Sequence, residues 1–261
     1  MKKMDNKEYF IDCDGMPVHA KLDFPKSKRD SYPLLIIFHG FTGQMEERHI
    51  VAVKDAANRA GYAALRVDLY GHGASGGNFA DHTILKWLNQ AMELVAYAKK
   101  LPFVDKIFLA GHSQGGLTAL MTAGMLPGEI AGLIPLSPAT VEVYGARKGE
   151  LFGVKFNPEQ MEDEYLLPRK SRKLKPEFFL TLRLLPLERA VASYHGPVCL
   201  IHGTSDQTVP FDYAKMLAGM ERKATGDFTF VPIAGADHNY TGDGQLDEAT
   251  CTVKKFLEKQ L

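Results

Sequence analysis

The segment Lys106–Ala110 (KIFLA) runs without a spacer into Gly111-His112-Ser113-Gln114-Gly115-Gly116, and a helical pattern opens at Gln114. A bare G-x-S-x-G is a weak signal, but a strand on one side and a helix on the other make it specific. A serine on so sharp a strand-to-helix turn takes a strained backbone, and the small neighbours Gly111 and Gly115 make room for it. The turn lifts the hydroxyl clear of the sheet, and the helix N-terminus beneath it favours developing negative charge. Ser113 is therefore the candidate nucleophile; the competing explanation is a plain glycine-rich turn.

The rest of the chain supplies a frame for such a turn. Glu8–Cys13, Asp14-Gly15 and Met16–Leu22 form a hairpin pattern around a two-residue turn. Leu34–Phe38 (LLIIF), Ala63–Val67 (AALRV), Leu133–Leu136, Val198–Ile201 and Phe228–Val231 are further strands. The continuous apolar run Leu34–Phe38 suits a strand buried on both faces. Helical patterns lie over about 46–60, from Ile84 to Lys99-Lys100, over Gln114–Met125 and over Leu246–Leu257. The alternation predicts an α/β fold with a mostly parallel, doubly wound sheet and the hairpin as its antiparallel edge. Between Ser137 and Pro186 the alternation fails and prolines recur at 138, 158, 168, 176 and 186. Long patternless insertions tend to be functional, so residues 138–186 are expected to form a lid between 1–137 and 187–261 of the core.

A serine hydroxyl needs a base, and the base needs an acid to orient it. After a turn of this type the acid and then the histidine follow at the ends of later strands. Val198–His202 leads into Gly203-Thr204-Ser205-Asp206, and Phe228–Ile233 leads into Ala234-Gly235-Ala236-Asp237-His238. Of the nine histidines, only His238 satisfies both order and position. His39 and His112 precede the serine, His195 precedes the acid's strand, and His202 sits in or beside a strand. Asp237 is the rival acid, but a residue cannot easily reach the imidazole of its own neighbour. His39-Gly40-Phe41-Thr42-Gly43 follows the first buried strand, so the backbone amides of Phe41 and Gln114 are the expected oxyanion donors.

Composition narrows the function further. Lys plus Arg and Asp plus Glu both number 31, a zero net charge that argues against a nucleic-acid partner. Cys13, Cys199 and Cys251 are far apart and in no metal spacing, as expected of reduced thiols. The first ten residues lack a signal-peptide core and no run could span a membrane, so a cytoplasmic location is expected. Gly71–Gly77 lacks a Walker lysine and dinucleotide spacing, and is expected to be a flexible loop near the site. Asp81-His82 has no second metal-ligand pair nearby and suits a helix start.

With HGFTG, DLYGHGAS, GHSQGG, GTSD and GADH in place, the chain resembles the α/β-hydrolase serine esterases over nearly its whole length. Among these it is most similar to the bacterial cinnamoyl (feruloyl) esterases. The resemblance implies Ser113, Asp206 and His238 as the triad, and amides of Phe41 and Gln114 as the oxyanion hole. It implies no metal or cofactor, and a small hydroxycinnamate ester such as a plant ferulate as substrate. It also implies a lid after Leu136-Ser137-Pro138 covering the acyl group, with Phe152, Phe178 and Phe179 along its lining and Tyr144 and Tyr165 the nearest polar aromatics. The same motifs would serve a general carboxylesterase or monoacylglycerol lipase and, more remotely, a non-catalytic binding protein on this fold. The insertion carries Glu162-Asp163-Glu164 and then Arg169, Lys170, Arg172, Lys173 and Lys175. These are either solvated faces or a basic patch meeting the leaving group at the pocket mouth.

Overall fold

The computed structural model describes residues 7–168 and 172–261. Asp14 and Gly15 both sit at positive φ (54° and 75°), and close β1 (Lys7–Cys13) onto β2 (Met16–Asp23) as an antiparallel hairpin. β3 (Tyr32–Phe38) is buried at every position. It is followed by α1 (Arg48–Arg59), β4 (Ala63–Val67), a short 3-10 turn (Phe79–Asp81) and α2 (Ile84–Lys99). β5 (Val104–His112), α3 (Gln114–Met125) and β6 (Gly132–Leu136) come next. Beyond the insertion, β11 (Val198–Gly203), α7 (Phe211–Ala224), β12 (Phe228–Ile233) and α8 (Gln245–Lys259) complete the sheet and its cover.

The eight strands lie in the order β1-β2-β4-β3-β5-β6-β11-β12. β2 meets β4 antiparallel, and from β4 onward every pairing is parallel. The hairpin is thus the antiparallel edge that the sequence pattern predicts. Alternation along each strand divides the core. Leu34, Ile36, Leu109 and Leu200 face a layer built on α2, α3 and α7, whereas Leu35, Ile37, Ala110 and Ile201 face α1 and α8. Two helical layers on one sheet leave the C-terminal ends of the parallel strands as the edge where loops can gather.

The segment between β6 and β11 is more regular than its sequence suggests. It holds α4 (Thr140–Lys148), a tight hairpin of β7 (Glu150–Leu151) and β8 (Val154–Lys155), and a second of β9 (Tyr165–Leu167) and β10 (Arg172–Leu174). α5 (Pro176–Arg183) and α6 (Leu187–Ser193) follow, and α6 packs on the core against α3 and α7. Leu174, Phe178, Phe179 and Leu182 are fully buried in the same apolar cluster as α2 and α3.

Candidate active site

Ser113 stands between β5 and α3 with φ 56° and ψ −123°, a left-handed backbone that a β-carbon disfavours. Tertiary bonds hold it there: its N–H donates to Leu136 O (3.0 Å), and its carbonyl accepts from Leu117 N (3.0 Å) and Ala139 N (2.9 Å). The flanking glycines are required by close approach. A Cβ on Gly111 would overlap the Gly115 carbonyl, and one on Gly115 would overlap the carbonyls of Phe38 and His39. Gln114 is the first residue of α3, so its amide has no acceptor within the helix.

Asp206 lies just beyond β11 and is fully buried. Its Oδ1 accepts the amides of Thr208 and Val209, both at 2.8 Å, and its Oδ2 accepts His238 Nδ1–H at 2.7 Å. Burial opposes the carboxylate charge, but the hydrogen bonds from His202, His238 and Val209 outweigh it and hold the carboxyl well below its ordinary range. With Nδ1 engaged, Nε2 is the ring nitrogen that His238 can offer to a reactant. Asp237, the rival acid, is turned to its own loop, where it accepts from Asn239 N and from Thr241 N and Oγ1.

Two histidines that the sequence sets aside, His112 on order and His202 on its place in a strand, touch this pair directly. His202 Nε2 lies 3.3 Å from Asp206 Oδ2 and 2.9 Å from Val209 O. His112 Nε2 donates to the backbone carbonyl of His238 at 2.7 Å, and its ring packs 4.6 Å from that of His238 and 4.1 Å from that of His49. Burial, followed by the neighbouring His49 and His238, keeps His112 well below the ordinary histidine range. The available sequence signal was position alone: His112 abuts the serine, and His202 ends the strand that delivers the acid.

At the end of β3, His39 Nε2 accepts Leu69 N–H at 2.9 Å, which fixes the proton on Nδ1. Nδ1–H then donates to Gly40 O at 2.8 Å. That carbonyl belongs to the peptide whose N–H is Phe41's. Gly71–Gly77 is not a free loop. Gly71 N–H donates to Gly76 O, Gly76 N–H to Pro17 O, and Ser75 Oγ to Asp68 O. Asp81 pairs with Lys175 instead of joining a metal set, while His82 turns inward to within 2.7 Å of the Gln114 side-chain nitrogen. The helix start belongs to Thr83, whose hydroxyl accepts from Lys86 N.

Ser113 and His238 line one cavity of about 580 Å³, a volume suited to a small organic ligand. Gly40, Phe41 and Thr42 form one wall, and Gln207–Val209 with Asn239 form another. Val141, Glu142, Leu151, Phe152, Leu167 and Pro168 of the insertion complete it. Of the five lid aromatics Tyr144, Phe152, Tyr165, Phe178 and Phe179, Phe152 alone lines this cavity. Tyr144 packs on Tyr213 outside it. Tyr165 and Phe179 pack edge to face at 5.0 Å and, with Phe156, join the apolar cluster shared with α2 and α3. Phe178 lies behind the wall against Phe41 and His82. None of the described members of the basic run lines the cavity either. Lys173 pairs with Glu164 of the acidic run, Lys175 with Asp81, and Arg172 covers the Phe79 ring; Arg169 and Lys170 lie outside the described residues.

A strained serine between a parallel strand and a helix, with a carboxylate–imidazole pair from later strand ends whose imidazole lines the same cavity, is the arrangement of an α/β hydrolase. Comparison with known proteins agrees. The serine aminopeptidase (S33) family model matches residues 30–155. The structure of ferulic acid bound to Est1E from Butyrivibrio proteoclasticus is 44% identical, with TM-score 0.91, covering 96% of this chain and 98% of that one. A second Est1E structure is 42% identical with TM-score 0.88, covering 97% and 98%. The mitochondrial palmitoyl-protein thioesterase ABHD10 of Rattus norvegicus is 25% identical over 243 residues, 90% of this chain and 78% of that protein. The chain belongs to the α/β-hydrolase esterases, close to the bacterial feruloyl esterases.

Proposed function

We propose that the chain hydrolyses hydroxycinnamate esters through an acyl-enzyme on Ser113. The observation that carries this is the 44% identity, over nearly the full length of both chains, to a protein solved with ferulic acid bound. The hydrogen-bonded Asp206–His238 pair beside Ser113 supports the chemistry. His238 Nε2 takes the Ser113 proton as the hydroxyl attacks the ester carbonyl, and Asp206 fixes the tautomer and stabilises the imidazolium. The amides of Phe41 and Gln114 receive the oxyanion; losing one such donor typically costs about 3–4 kcal/mol of barrier. His238 then protonates the departing alcohol and activates the water that releases the acid. Residues 138–186 act as the lid, and Phe152 presents its ring to the planar acyl group.

The test is a panel of methyl ferulate, 4-nitrophenyl acetate, a monoacylglycerol and a palmitoyl thioester. The reading requires methyl ferulate to have the highest kcat/KM among the unactivated esters. Equal or better turnover of the monoacylglycerol or thioester overturns the substrate assignment. An organophosphonate should label the wild type and not Ser113→Ala; full turnover by Ser113→Ala overturns the covalent mechanism.

A further inference from the structure

Phe41 is gripped on both of its peptides by imidazoles that approach from behind the cavity. His39 holds the peptide before it through Gly40 O. The peptide after it is held by His72, whose Nε2 lies 2.5 Å from Phe41 O. His72 comes from the 71–77 loop, far from Phe41 in sequence, and is buried. Its ring is packed at about 5 Å by His39, Phe79, His82 and Trp87. Two peptide planes fixed on either side of one residue fix both its φ and its ψ, and so fix where its N–H points.

We propose that His72 is a positioning residue for the oxyanion hole, donating Nε2–H to Phe41 O so that the Phe41 amide is aligned before substrate arrives. The proposal rests on the reading of Phe41 as an oxyanion donor. Its sense is electrostatic preorganisation: a donor already aimed at the developing charge costs no reorganisation during reaction. The loop is anchored for this purpose. His72 N–H donates to Leu69 O at 3.0 Å, and Tyr70 O, 2.8 Å from His72 Nδ1, accepts Trp87 Nε1–H at 3.2 Å. Tyr70 N–H is held in turn by Gln90 Oε1 at 2.7 Å. Asp68 Oδ2 accepts Ala74 N–H at 3.2 Å and tethers the far side of the loop. Burial lowers the His72 pKa, with the two carbonyls opposing that shift. A neutral ring has one proton for the two carbonyls, and Phe41 O, at the shorter contact, receives it.

The experiment compares the wild type with His72→Phe, which keeps the packing and removes the donor, and His72→Gln, which keeps a donor. Each is assayed for kcat and KM on 4-nitrophenyl acetate, for affinity toward a boronic acid that forms a tetrahedral adduct on the serine, and for melting temperature. The expected result for His72→Phe is a fall in kcat of about 10- to 100-fold, below the roughly 10²–10³ for outright loss of an oxyanion donor. KM should stay within about threefold, the boronate Ki should rise in parallel with the loss of kcat, and His72→Gln should recover part of it. A folded His72→Phe with full kcat overturns the proposal, as does a loss confined to KM. Should neither variant fold, nitrogen-15 NMR of the wild-type histidines decides. An Nε2–H tautomer at His72 supports the proposal and an Nδ1–H tautomer overturns it. Failure of the parent reading is separable, because it would appear as a wild type that resists the organophosphonate.

Discussion

His202 and His238 share one carboxylate oxygen: Asp206 Oδ2 lies 3.3 Å from His202 Nε2 and 2.7 Å from His238 Nδ1. A carboxylate so supplied with donors stays ionised through mild acid. Its folded pKa is depressed, so its contribution to stability is complete above the unfolded value of about 4 and is lost only as pH falls through the lower folded value. Replacing His202 by Phe removes one donor from Asp206 and orphans Val209 O. The expected outcome is a destabilisation of about 1–3 kcal/mol at pH 7 and a smaller Asp206-linked loss of stability in acid, complete at a higher pH than in the wild type. Urea unfolding of wild type and variant at pH 3.5, 5 and 7 measures both. Identical pH dependence would show that His202 merely fills space.

Asp206→Asn keeps the shape of the acid and removes its charge. It should lower kcat by roughly 10³–10⁴ with little change in KM, because the wrong tautomer of His238 is then favoured. Steady-state kinetics at pH 7 and 9 test this; activity within tenfold of wild type would contradict the role given to Asp206.

Glu221 is the opposite case. It is buried on α7, and among the described residues its Oε2 has no hydrogen-bond partner. Burial pushes its carboxyl up to about 8. The folded protein therefore keeps a proton that the unfolded chain gives up near pH 4.5, and stability falls as pH rises from about 4.5 toward 8. At pH 7 the cost is on the order of 3 kcal/mol. Glu221→Gln should raise the melting temperature by several degrees at pH 8, do nothing at pH 4, and flatten the slope between. An unchanged slope would mean that the carboxyl ionises freely in the fold.

The frame of this protein is legible in its sequence where burial on both faces leaves no choice of residue. Leu34–Phe38, Ile107–Ala110 and Val198–Ile201 are apolar throughout, and the helix from Gln114 to Met125 has the observed bounds. The helix at 211–224 is not legible in the sequence, because FDYAKMLAGMERKA carries charges throughout and buries only a narrow stripe that includes Glu221. The insertion hid its order in strands of two or three residues, too short to show a period. Site residues divide the same way. Ser113, Asp206 and His238 follow from strand ends and chain order. By contrast, the inward turn of Tyr165 and Phe179, and the grip of His112, His202 and His72, depend on which loops meet in space.

Phe152 sits at the tip of the β7–β8 hairpin with φ 55°, followed by Gly153 at 78°. An aromatic residue in this left-handed region is strained by about 1–2 kcal/mol. Its ring stacks on Phe41 at 4.7 Å with the planes 21° apart, an interaction worth about 1 kcal/mol beyond burial. Phe152→Gly loses the stack and relieves the strain, whereas Phe152→Ala loses the stack and keeps the strain. Glycine should therefore be the more stable variant by about 1 kcal/mol, the reverse of their order in an ordinary strand. Both should raise KM for methyl ferulate several-fold and leave 4-nitrophenyl acetate nearly unaffected, since only the larger acyl group reaches the hairpin tip. Thermal unfolding orders the two variants, and parallel kinetics on the two esters separates a ring that binds substrate from one that only braces Phe41. If both esters suffer equally, the ring acts through Phe41 and the oxyanion hole, and the acyl group is recognised by Leu167, Pro168 and Val141 instead.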